Sequence, residues 1–177
     1  MKKILLTLAL IFSFVSFGQS SEMIKLQDEI KNNKGDKFDE LLILTKAIEK
    51  DPNSSYAYYL RAHTKMNDFN DDKAALEDFR KSIKLGIGFP DAFYKLGMVN
   101  ARLGNNYDAI FGYSRAIEAW GNYVEAYLAR GEIKLIIGDL NSACEDWKKA
   151  IEVMDSDDPS SKYAAGLAKE AIDKNCN

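Results

Sequence analysis

Histidine is almost missing from this chain: His63 is the only one in 177 residues. A Ser–His–Asp or Cys–His arrangement would have to use it, and no nucleophile stands poised beside it in sequence. Cysteine is nearly as scarce, with Cys144 and Cys176 alone, both far along the chain from that histidine, so no metal-ligand set is legible. Proline occurs three times, at Pro52, Pro90 and Pro159, and the long stretches between them are rich in the helix formers Ala, Leu, Lys and Glu. There is no glycine-rich loop to cradle a phosphate. The acidic run at Asp68, Asp71 and Asp72 lacks the fixed glycine and terminal glutamate of a calcium loop. Net charge is −3, with no clustered basic face for nucleic acid and no polybasic patch for a membrane surface. Catalysis, a cofactor and nucleic acid are all poorly served by these residues.

What is present falls into two kinds of sequence. The first eighteen residues open with Lys2 and Lys3, continue as twelve mostly apolar residues from Ile4 to Val15, and close on Ser16-Phe17-Gly18. That is the layout of an export signal, cut near Gly18/Gln19. Twelve helical residues reach only ~18 Å, too short for a ~30 Å hydrocarbon core. The expected mature chain, 19–177, has no further membrane span and resides in a periplasm or outside the cell. Disulfides persist there.

The rest is periodic. Ala75, Ala109 and Ala143 stand 34 residues apart, as do Phe79, Tyr113 and Trp147, and Ile83, Ile117 and Ile151. A second set, Tyr58, Phe93 and Tyr127 followed by Ala62, Gly97 and Gly131, recurs at 35 and then 34. One extra residue therefore lies between the halves of the earliest of these units, for which "MNDFNDD" (66–72) is the natural place. Within each half the apolar and small residues fall on one helical face, as at Ala109, Ile110, Tyr113, Ala116 and Ile117. Neither helix can bury such a stripe alone, so each pair must stack on the next.

The period and the two signatures, aromatic–Leu/Arg–Gly/Ala then Ala–aromatic–Ala, resemble those of tetratricopeptide repeat proteins. The resemblance implies an all-α solenoid of helix–turn–helix repeats in a right-handed superhelix. It covers repeats at 55–89, 90–123 and 124–157. A degenerate repeat at 21–54 precedes them, with Asp28 and Glu40 at positions the family keeps small. A capping helix at 160–174 would shield the last apolar face.

Two structural pairings follow from the register. Arg61 with Asp78 and Arg130 with Asp146 occupy matching places in two repeats, where the intervening repeat has Leu96 and Gly112. Two intra-repeat salt bridges are therefore expected. Cys144, near the start of a second helix, and Cys176, just past the cap, would end at similar heights on antiparallel helices. A disulfide stapling the cap is the expectation, with a reactive thiol the alternative.

The family's first helices line the inside of the superhelix. The resemblance places Tyr56, Tyr59, His63, Met66 and Asn67 there, then Asp91, Tyr94, Met98 and Arg102, then Glu125, Leu128, Glu132 and Leu135. Tyrosines offer rigid area with a polar tip, which suits a peptide. The carboxylate clamp of the co-chaperone members is absent: its places read Lys25, Glu29, Leu60, Asp91 and Lys95, two of them acidic. The expected function is a non-catalytic interaction module of the bacterial envelope, holding a protein or peptide partner in this groove. The alternative is a structural solenoid that self-associates into an oligomer.

Overall fold

The computed structural model describes residues 24–32 and 36–176. The expected export signal at 1–18 lies outside the described residues. Among those described there are nine helical segments and no strand. They are α1 (24–32), α2 (Lys37–Lys50), α3 (Ser55–Asp68), α4 (Asp72–Lys84), α5 (Pro90–Arg102), α6 (Asn106–Ala119), α7 (Val124–Ile136), α8 (Leu140–Glu152) and α9 (Pro159–Asn175). No described helix is long and apolar enough to cross a membrane.

Local chemistry sets the boundaries. Asp36, Ser54, Asp71, Asp139 and Asp158 each accept a backbone N–H at the start of a helix, and Pro90 and Pro159 open α5 and α9. Gly104 and Gly138 end α5 and α7 in the left-handed region, at φ 77° and 84°. The amides of Asn105 and Asp139 then close back onto the carbonyls of Asn100 and Lys134, five residues earlier. After α3 the same corner is turned by Asn70 at φ 51°, and Asp71 closes onto Lys65, six residues back. The extra residue of that repeat sits in this turn.

The helices pair as α3/α4, α5/α6 and α7/α8, and each pair packs on the next. At the centre of each pair an aromatic of the second helix faces a small residue of the first. Phe79, Tyr113 and Trp147 are 0, 3 and 1% exposed. A Cβ on Gly97 would lie 2.6 Å from the Tyr113 ring, and one on Gly131 2.5 Å from Trp147 Nε1. The larger rings thus meet glycine, while the smaller Phe79 shares its cluster with Ala62. Burying one such ring contributes about 3 kcal/mol, and Trp147 Nε1 also donates to the Leu128 carbonyl at 3.3 Å.

Charge holds two of the three pairs. Arg61 forks onto both oxygens of Asp78, each at 2.8 Å, and Lys65 adds a third contact at 2.7 Å. Arg130 and Lys134 treat Asp146 the same way, at 2.7–2.8 Å. Both carboxylates are buried, so each needs this compensation. The middle repeat substitutes Leu96, Gly112 and the buried Asn100 for the Arg–Asp–Lys triad, and Asn100 bonds the Leu96 carbonyl instead. With no side chain at Gly112, α5 and α6 close on each other, and a Cβ there would lie 2.6 Å from the Gly97 nitrogen.

At the N-terminal end Glu40 does not act as a small packing residue. Its carboxylate accepts from Thr64 of α3 at 2.8 Å and pairs with Lys37. At the other end Ala164, Ala165 and Ala168 of α9 cover the cluster of Trp147, Tyr127 and Leu128. Cys144 and Cys176 are joined as a disulfide with Cα atoms 6.0 Å apart, inside the usual range.

Candidate binding groove

First helices touch their neighbours directly at α3–α5 and at α7–α9, which puts this side on the inside of the stack. A row of rings runs along it. Tyr56 stacks on Tyr59 with centroids 6.2 Å apart, and both meet Phe89 edge-on at 6.2 Å. Tyr94 lies 4.9 Å from Tyr123 and 5.6 Å from Tyr113, and Trp120 extends the row 5.2 Å beyond Tyr123. Asp91 bridges the two halves: the hydroxyls of Tyr59 and Tyr123 donate to its two oxygens, the second at 3.0 Å. One carboxylate thus links α3, α5 and the start of α7.

The electrostatics follow from that crowding. Burial pushes the Tyr94 phenol up to about 12, and the charges of Glu125, Asp91 and Glu132 add to the shift. Tyr59 and Tyr123 are raised further, first by burial and then by Asp91. All three stay neutral donors at any physiological pH. Desolvation lifts the Glu132 carboxyl above its ordinary range. His63 is held down by burial and then by the Lys95 charge, so it is neutral, with the Asn67 amide nitrogen 2.9 Å from Nε2. Among the described residues it forms no salt bridge, and its ring meets the Asn67 amide and the Tyr59 ring.

Several groove assignments from the register need correcting. Met66 is fully buried between α3 and α4, because it stands one turn past Ala62 on the face that packs against Ala75 and Phe79, and Asn67 is left as the exposed position. Leu128, at 8% exposure, packs against Trp147 and the cap and offers the groove almost no surface. Arg102 is committed elsewhere: it pairs with Asp72 at 3.0 Å and donates to Asn70 and the Met66 carbonyl, tying α5 to the preceding turn. Met98 is half-buried against the cluster of Tyr113 and Ile133, and Glu125 accepts from Ser160 of α9 at 2.7 Å.

Phe89, Trp120 and Tyr123 are absent from that register-based list. Phe89 and Tyr123 stand just before α5 and α7, in the N-cap position, and neither provides a side-chain cap. They are 34 residues apart, so the same period that revealed the core carried the signal. A polar cap is worth about 1 kcal/mol to a helix. Two helices give it up for an aromatic ring on the groove's edge.

The comparisons agree with this architecture. No protein-family model matches the chain. A crystal structure of MamA superposes with a TM-score of 0.68 at 26% identity, over 81% of this chain and 82% of that one. YrrB, described as a TPR protein with an unusual peptide-binding site, gives 0.63 at 24% identity over 84% of each chain. Anaphase-promoting complex subunit 3 of Schizosaccharomyces pombe is 32% identical over 115 residues, 65% of this chain but only 16% of that protein. The chain therefore spans about a sixth of that curated relative's length. Repeat register, helix pairing and these likenesses together define the fold as a tetratricopeptide-type solenoid.

Proposed function

We propose that the chain is a non-catalytic interaction module that holds a peptide or protein partner along the first-helix face. The observation that carries this is the aromatic row at the groove's edge, above all Phe89 and Trp120, at 39 and 52% exposure. Phe89 and Tyr123 stand where a polar cap would steady each helix, at a local cost of about 1 kcal/mol. The peptide-binding site named for YrrB is consistent with the reading. Compartment belongs to the same proposal: the apolar run Ile4–Val15 and the Cys144–Cys176 bridge together favour export to a periplasm or beyond.

The test is to replace Tyr94 with a photo-crosslinking residue in the exported protein and to identify what is captured in cells. One recurrent partner, captured also from position 59 and competed by excess unmodified protein, supports the groove. Capture of nothing, or of the protein itself, moves the working surface elsewhere.

A second reading, self-association, draws on one feature. Tyr107 and Phe111 of α6 are 77 and 60% exposed, four residues apart, where α4 has Lys73 and Glu77 and α8 has Asn141 and Glu145. Sedimentation separates the readings. A monomer at every concentration removes this one.

A further inference from the structure

Carboxylates outnumber cations beside Tyr94. Resting on the groove as the working surface, we propose that its occupant is an extended basic segment, with a lysine or arginine side chain seated beside Tyr94 and Tyr123. Three carboxylates surround those rings: Asp91 at the start of α5, and Glu125 and Glu132 along α7. All three act on the Tyr94 phenol. Asp91 is held by two phenols and Glu125 by the Ser160 hydroxyl, donors that orient a carboxylate without cancelling its charge.

Three acids packed between helices elsewhere are balanced by cations. Asp78 and Asp146 each receive two cations, and Asp72 receives Arg102. Among the described residues none of the three groove carboxylates enters an ion pair of 4 Å or less. The charged and titratable groups facing them do not supply the balance. Lys95 lies 5.8 Å from the Tyr94 centroid, one cation against three anions, and His63 is neutral.

A partner's cation fits on two counts. Aromatic faces attract an ammonium or guanidinium through their quadrupole, and a charge-assisted bond to a partly desolvated carboxylate is among the stronger polar contacts. Acidic segments would meet like charge, which is the more discriminating half of recognition. The aromatic row supplies contact area, and the carboxylates choose the sign.

Three fluorescein-labelled ten-residue peptides test this. They share one Ser/Leu/Tyr framework and carry Arg, Gln or Glu at the same four positions. Anisotropy gives affinity, and amide shift mapping on the folded full chain gives place. The arginine peptide is expected to bind with shifts at Tyr94, Tyr123 and Glu132, more weakly as salt rises. The double variant Glu125→Gln/Glu132→Gln is expected to lose about ten-fold or more of that affinity. A control of equal charge change, Glu145→Gln/Glu170→Gln on exposed positions of α8 and α9, stays within about two-fold. If the Gln or Glu peptide binds the same residues as tightly, the groove stands and the basic preference falls. Equal loss in the control, or shifts away from the groove, reduces the effect to general attraction and also overturns it. If none of the three peptides moves groove resonances, the groove reading fails with it.

Discussion

Replacing Gly112 by alanine sets two ordinary effects against each other. In a helix, alanine is favoured over glycine by about 1 kcal/mol. Here the new Cβ would lie 2.6 Å from the nitrogen and 2.8 Å from the Cα of Gly97, and 3.0 Å from the carbonyl oxygen of Phe93. All three are backbone atoms, so no rotamer change relieves the contact. A normal separation of about 3.5 Å requires α5 and α6 to part by roughly 0.9 Å, which forfeits a quarter to a half of the dispersion energy across the contact. Overpacking of this kind costs about 1–3 kcal/mol, more where backbone must move. The clash wins, with a net loss of up to about 2 kcal/mol and a fall in Tm of up to roughly 8 °C.

Urea unfolding followed by circular dichroism measures it, with Gly166→Ala as the internal control. Gly166 lies within α9, where an added Cβ meets nothing within 4 Å, so that variant is expected to gain up to about 1 kcal/mol. A Gly112→Ala protein as stable as the parent, or more so, would refute the account of why this repeat dispenses with its Arg–Asp pair.

Two further outcomes are expected. Replacing Cys144 and Cys176 by serine opens a cross-link between residues 32 apart in sequence and lowers stability by about 3–4 kcal/mol on the chain-entropy account; a loss under about 1 kcal/mol in reductant-free urea titrations contradicts it. Glu132 gives a pH signature. Its folded carboxyl titrates above the ordinary 4.5, so the native state holds the proton more tightly than the unfolded one, and stability declines as pH rises from there through the raised value. Below the ordinary value both states are protonated and stability no longer varies with pH through this group. Compared with the parent, Glu132→Gln is expected to remove this decline above the ordinary carboxylate range. A stability difference that does not vary with pH rules out the raised titration.

The fold was legible because one solution is used three times. Ala75, Ala109 and Ala143 are each fully buried, and a position that recurs at one period reports its environment three times over. The two Arg–Asp forks were legible for the same reason, whereas Lys65 and Lys134, one turn further along the first helix, join the same carboxylates only in the folded pair. The groove was harder. Its residues differ from repeat to repeat, as binding requires, so they could be placed only by counting along a helix. Met66 falls one turn after Ala62, on the core face of α3. At Leu128 the position was right but the following cap covers it. Arg102 faces the correct way, yet its nearest acid is Asp72, a neighbour that only the tertiary stacking supplies. Phe89 and Tyr123 occupy N-cap positions, which ordinarily carry Ser or Asp and so give no groove signal.

The bridge between α8 and α9 also decides how the stack comes apart. In a linear array each unit is steadied only by its neighbours, and the terminal units are the first to open. Here the last unit is covalently clasped to the one before it, while α2 joins α3 through packing, the Thr64–Glu40 hydrogen bond and the pairing of Lys37 with Asp68. Opening therefore proceeds from the N-terminal end toward the disulfide. The stack behaves as a zipper with its stop fixed at one end, and the aromatic row, which runs from α3 to the start of α7, is released from its α3 end first.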